Sequence, residues 1–175
     1  MIRNAVRATT VLLATLAVPA VIFAAPLSAS AANKPLSASA ANNLCETNGN
    51  NYCLGSADLN LYTAVTESKP GRNLIATPLG GTFDGFSTYL LQFSADATKC
   101  VASADNLVDI VIHPCNGGSG VVWAKDSITG HIRWINREVS QHYNQDMYLS
   151  GASNGTPYFT APLRQTGVYQ RFDWV

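Results

Sequence analysis

The chain has 175 residues, 11 basic and 11 acidic side chains, and a composition that is 47% hydrophobic and only 13% charged. This balance lacks the basic stripe of a nucleic-acid binder, and it is too apolar for a disordered protein. Without residues 1–31, which include Arg3 and Arg7, 9 basic side chains face 11 acidic ones, a formal charge of −2 that also disfavours an anionic membrane surface.

The first 32 residues have the layout of a signal peptide. Arg3 and Arg7 give a positive start, Val11 to Ala25 is an apolar run, and small residues follow. The run is too short for a membrane span and is broken by Pro19, so no membrane insertion is expected. Next comes a near-tandem duplication, Pro26-Leu-Ser-Ala-Ser-Ala-Ala-Asn33 and Pro35-Leu-Ser-Ala-Ser-Ala-Ala-Asn42. Its second Ala-Ser-Ala triplet offers an alternative cleavage site near residue 40. Residues 33–44 then read as a flexible tail and residues 45–175 as one domain with a real core. The expected product is secreted and extracellular.

Four cysteines, Cys45, Cys53, Cys100 and Cys115, form an even set in an exported chain, which favours two disulfides over metal ligation. Three pairings are open. The local one, Cys45 with Cys53 and Cys100 with Cys115, is preferred because each pair brackets a turn-rich segment.

A weak threefold repeat runs along the domain. Its units open on Cys53-Leu54-Gly55, Cys100-Val101-Ala102 and Tyr148-Leu149-Ser150. Midway comes an apolar strand ending at proline: Ile75 to Pro78-Leu79, Val111 to Pro114-Cys115, and Phe159 to Pro162-Leu163. A glycine-containing loop then leads to Phe93, Trp123 and Phe172 as core aromatics. The step from Val101 to Trp123 is 22 residues and from Leu149 to Phe172 is 23, but Leu54 to Phe93 is 39. That surplus predicts an insertion in unit one, around Glu67–Gly71 or Gly80–Ser87. Short runs such as Leu107–Ile112 and Thr156–Thr160, bounded by Asn, Gly and Pro, have the pattern of strands. The domain is expected to be all-β and nearly helix-free, and its units must share one core because none can bury its apolar face alone.

The segment from Cys100-Val101 to His113-Pro114-Cys115 and Trp123 resembles one repeat of a ricin B-type lectin, and Tyr169-Gln170-Arg171-Phe172 resembles that family's Gln-x-Trp/Phe strand. The resemblance spans Asn51 to Val175. It implies a β-trefoil, a six-stranded barrel capped by three hairpins, with a shallow sugar pocket in each unit. The family's orienting Asp is absent from all three units, where Gly55, Ala102 and Ser150 stand, and the stacking positions hold Thr77, His113 and Ala161. The candidate ligand-binding residues are therefore His113 as the ring, Asp105, Asn106 and Asp109 as displaced acceptors, and Gln170.

Gly151-Ala-Ser153-Asn-Gly155 fits the nucleophile-elbow pattern, but a strand-like Thr-Pro-Tyr-Phe-Thr follows where a helix is required. His113, His131 and His142 fall in no metal-binding spacing. No catalytic residue, metal or cofactor is implied. The expected function is non-catalytic carbohydrate binding near the millimolar range, about −4 kcal/mol, with a glycan or polysaccharide as partner. The alternative is an extracellular protein partner, met by a protease-inhibitor loop at Lys69-Pro70-Gly71-Arg72. Tyr143, Tyr148 and Tyr158 are candidates for an exposed aromatic face.

Overall fold

A computed structural model describes residues 41–152, 156–164 and 168–175, all within one compact unit of the chain. The signal-peptide reading and most of the tail lie outside the described residues. The strands run in chain order as β1 (Asn42–Glu46), β2 (Cys53–Gly55), β3 (Thr66–Ser68), β4 (Asn73–Phe83), β5 (Phe86–Phe93) and β6 (Asp96–Ser103). They continue as β7 (Ile110–Pro114), β8 (Val122–Ile128), β9 (His131–Asn136), β10 (Met147–Ser150), β11 (Phe159–Pro162) and β12 (Phe172–Trp174). One seven-residue helix, α1 (Arg137–Tyr143), interrupts them, so the fold is all-β as expected.

Six strands close a ring. β1 pairs with β4, β4 with β5, β5 with β8, β8 with β9, β9 with β12, and β12 returns to β1, all antiparallel. Asn43 and Val175 exchange backbone hydrogen bonds of 3.0 and 2.9 Å at the closing seam. Closure leaves the ring without exposed sheet edges. The other six strands form hairpins, β2–β3, β6–β7 and β10–β11. These hairpins meet in a cycle of backbone hydrogen bonds: Val65 N–H to Ile110 O (2.8 Å), Ile110 N–H to Tyr158 O (3.1 Å) and Tyr158 N–H to Val65 O (2.9 Å).

Strand register makes the three units comparable residue by residue. Four triplets are fully buried: Leu44, Leu91 and Trp134; Leu74, Trp123 and Phe172; Leu54, Val101 and Leu149; Val65, Ile110 and Tyr158. Together they make up most of the single large apolar core. Large and small side chains trade places between units, so each layer is filled by a different combination.

The register corrects the sequence reading of unit one. Cys53 faces Ser68 as Cys100 faces His113 and Tyr148 faces Ala161, so β3 is the midway strand and Ser68, not Thr77, stands at the stacking position. Ile75 to Leu79 belongs instead to the barrel strand β4. Leu74 occupies the aromatic position, and Phe93 belongs to the first strand of unit two. A leucine where the other units carry an aromatic hid the repeat. With Leu74 in that place the step from Leu54 is 20 residues, against 22 and 23 in the other units, so the insertion expected around Glu67–Gly71 or Gly80–Ser87 came from the misalignment and is not found in that step. The tail boundary also moves, because Asn42 to Leu44 already pair in β1.

Both disulfides take the local pairing, Cys45–Cys53 between β1 and β2 and Cys100–Cys115 across the second hairpin, which is compatible with an extracellular protein. Two carboxyls are buried between hairpins: Glu46, 3% exposed at the end of β1, and Glu67 in β3. Asn48 donates to Glu46, and the Ala152 N–H donates to Glu67 at 2.6 Å. A Cβ on Gly151 would stand 1.6 Å from Glu46 Oε1, so only glycine fits there. Burial, then the neighbouring Glu67, push the Glu46 carboxyl up to about 8, against the opposing pull of the nearby Tyr158 hydroxyl and of the Asn48 hydrogen bond.

Two outcomes follow from this packing. Cys100→Ser with Cys115→Ser should lower the unfolding free energy by about 3 kcal/mol, the loop-closure term for a loop of this length, in urea titrations. Glu46 stays protonated in the folded protein over a range where the unfolded chain ionises. Its contribution is therefore complete below about pH 4.5 and is lost as pH rises through about 8. Melting temperature should fall over that interval, and Glu46→Gln should flatten the dependence; an equally steep slope in the variant would exclude Glu46 as its source.

Candidate functional site

The second hairpin builds an open cleft of about 310 Å³, lined by residues that include Ser103, Asp105, His113, Gly117, Gly120 and Glu138. His113 is half-buried in β7 opposite Cys100, where the adjacent disulfide fixes the strand that carries it. Its Nδ1 lies 3.2 Å from Pro114 O, and a Cβ on Gly117 would fall 2.0 Å from that nitrogen. Glycine at 117 therefore leaves the imidazole its place.

The loop between β6 and β7 divides the predicted acceptors. Asn106 Oδ1 accepts from the Val108 and Asp109 N–H groups, each at 3.0 Å, and Asn106 Nδ2 donates to Asp109 Oδ2 at 2.7 Å. Both side chains are engaged in holding a turn, the ordinary use of Asn and Asp, which corrects their reading as free sugar acceptors. The turn also delays β7 to Ile110, past the Leu107 start read from sequence. Asp105 alone of the three projects into the cleft unpaired among the described residues.

Gln170 is a second correction. It is 1% exposed; its Nε2 donates to Ser150 Oγ (2.8 Å) and Pro162 O (2.9 Å), and its Oε1 accepts from the Arg164 N–H (3.0 Å). With both ends of the amide used, it ties unit three together.

Register explains why unit two is open. Two residues before Leu74, Trp123 and Phe172 stand Arg72, Val121 and Gln170. Arg72 folds back on its own unit, with Nε to Ser56 O (3.1 Å) and Nη2 to Ala57 O (3.2 Å), and Gln170 does likewise. Val121 has no donor to reach with, so the space in front of it stays empty. Ser103, 6% exposed, keeps an Oγ without a hydrogen-bond partner. The same bonds hold Arg72 against its neighbours, a poor posture for entering a protease pocket.

Glu138, Ser103 and Tyr62 escaped the sequence reading. Glu138 arrives on α1, whose cap is the fully buried Asn136: Oδ1 accepts from the Val139 N–H (3.1 Å) and Nδ2 donates to Gly120 O (2.9 Å). One side chain thus starts the helix and anchors the cleft floor. A Cβ on Gly120 would lie 2.6 Å from Glu138 Oε2 and 3.0 Å from Ser103 Oγ, so both oxygens border the same space. Tyr62 comes from unit one, 65% exposed, and meets the His113 ring edge-on at 5.4 Å and 84°. A second shallow cleft adjoins this ring pair, lined by Tyr62, Asp105, Asn106 and His113 among others. The asparagine cap before Glu138 was a legible signal; nothing in the sequence pointed to Tyr62.

The expected aromatic face does not form. Tyr158 is in the core against Phe172, Tyr148 is buried, and only Tyr143 is exposed. Ser153 to Gly155 lie outside the described residues, but the strands flanking them, β10 and β11, pair directly with each other. Among the described residues no three His, Cys, Asp or Glu side chains converge as a metal site requires.

No family model matches the sequence, and the comparison with curated proteins gives no match. Solved structures do show the fold. A GlcNAcα1-4Gal-releasing endo-β-galactosidase from Clostridium perfringens aligns over 77% of this chain at 12% identity and a TM-score of 0.54. A mosquitocidal holotoxin aligns over 77% at 13% identity and a TM-score of 0.58. The chain spans 31% of the first and 17% of the second, and at these identities the likeness is one of β-rich fold.

Gln170→Ala should cost roughly 2 kcal/mol, since it strands several buried partners. Asp105→Asn, at the exposed cleft rim, should stay within about 0.5 kcal/mol of the parent. Equal losses in urea titration would contradict the separation of a structural residue from a site residue.

Proposed function

We propose that this is a secreted, non-catalytic carbohydrate-binding protein of low affinity, built as a ricin B-type β-trefoil and binding through its second unit. The single observation that carries the reading is the Tyr62–His113 ring pair standing beside the unpaired carboxylates of Asp105 and Glu138. A sugar presents an apolar C–H face and vicinal hydroxyls. Aromatic surface accommodates the first, and carboxylate oxygens accept from the second. A few polar groups converging on a concave surface are the usual form of a small-ligand site. The closed six-strand ring and its three hairpins support the trefoil assignment. The neighbours, one acting on glycans and one a toxin, are compatible with a binding module attached to larger proteins. The two disulfides and the amino-terminal pattern support export.

The site borrows from two units for its aromatic wall, so both rings should matter. On a panel of polysaccharides and glycans, the oxidised protein should be retained by at least one class. Tyr62→Ala, which removes an exposed ring from the surface, should weaken that binding roughly tenfold, equivalent to about 1.4 kcal/mol. His113→Ala should do the same. Retention by no glycan, or full retention in both variants, would overturn the reading.

A further inference from the structure

We infer that the unit-two cleft selects saccharides carrying a free ammonium group, amino sugars in their deacetylated form, over neutral and acidic ones; this rests on the saccharide-binding reading above. The charged side chains that line it, Asp105 and Glu138, are both acidic, and no Lys or Arg is among the lining residues. Neither carboxylate has an ion-pair or hydrogen-bond partner among the described residues. Carboxylates are normally paired or solvated, so two directed at one cleft leave an unbalanced negative field for a ligand to neutralise.

Ser103 supplies a separate observation. Its hydroxyl is more than nine-tenths buried, unpartnered, and on the cleft wall, within 3.0 Å of the same point above Gly120 that lies 2.6 Å from Glu138 Oε2. A buried hydroxyl without a partner loses solvation that a bound donor restores. An ammonium carries three donors and no acceptor, which matches a wall offering carboxylate and hydroxyl oxygens. Its bonds to carboxylate are charge-assisted and about twice as strong as those of a neutral hydroxyl. A uronic acid would instead bring a third negative charge to the same space. The His113 ring on the cleft wall, which Tyr62 meets edge-on, would hold the sugar's C–H face, so the site reads an ammonium on a ring and not an ammonium alone.

The test compares soluble glucosamine oligomers, N-acetylglucosamine oligomers of equal length and oligogalacturonate, binding to the oxidised full chain at mildly acidic pH, where the sugar amine is protonated. The deacetylated oligomer should bind roughly tenfold tighter than the acetylated one, and the acidic oligomer weakest. Glu138→Gln and Asp105→Asn should each erase most of that preference, lowering the affinity for the deacetylated oligomer far more than that for the acetylated one. Asp96→Asn makes the same charge change outside the cleft and should preserve the preference. Equal affinity for the two oligomers overturns the inference, as does a preference that survives Glu138→Gln or falls equally in Asp96→Asn. Competition by lysine amide as effective as by the glucosamine oligomer overturns it too, since the ring would then contribute nothing. Binding of neutral oligomers without preference removes this inference alone; binding of none removes the saccharide reading with it.

Discussion

Three backbone hydrogen bonds, passed in a circle between Val65, Ile110 and Tyr158, are the constraint on which the rest depends. An isolated hairpin is marginal in water, and each hairpin here reaches the other two through this cycle and through the bridges Ala64–Val111, Thr66–Pro157 and Asp109–Phe159. All three side chains of the cycle are fully buried, so the hairpins cannot separate without opening the core. The barrel seam imposes the same condition on the ring, where Leu44 faces Trp174 and Glu46 faces Phe172. Local contacts alone satisfy neither closure, and the chain must be folded throughout for either to exist.

Once the layers are fixed, units diverge where the layers do not reach. Arg72, Val121 and Gln170 share one structural position, and what each does follows from its chemistry. Guanidinium and amide bond back to their own units, while an isopropyl group cannot. The cleft is therefore a consequence of an apolar residue at a position where the other units have long polar ones. It is completed from outside unit two by Glu138, on the helix that follows β9, while Tyr62 of unit one stands against the His113 ring that lines it. A site shared in this way inherits its rigidity from the closed architecture, which holds elements distant in sequence to one geometry.

The buried Glu46 and Glu67 occupy places where the other units put Phe93 and Asn136, or Ile112 and Thr160. Glu67 ties the strand β3 to the segment after β10, which passes close to Glu46 at Gly151, where a Cβ would stand 1.6 Å from the carboxyl oxygen. Burying a carboxylate is costly, and burial accordingly raises the Glu46 carboxyl toward its protonated form.

The sequence by itself determined the all-β character, the short strands bounded by turn residues, the local pairing preferred for the four cysteines and the threefold recurrence in units two and three. These are properties of neighbours in the chain: alternation, turn chemistry and loop closure act over a few residues and leave a local mark. Unit one was misaligned because Leu74 fills a layer as well as an aromatic does, and volume in a core is set by all three contributors together. Of the site residues read in advance, His113 and Asp105 reach the cleft, while Asn106, Asp109 and Gln170 are taken up by hydrogen bonds whose partners only the folded turn and strands supply. The tertiary structure alone decided that Tyr62 stands against His113, that Glu138 and Ser103 face one space, and that Val121 leaves it open. Proximity between units is fixed by closure of the ring and the hairpin cycle, and no local pattern in a single unit encodes it.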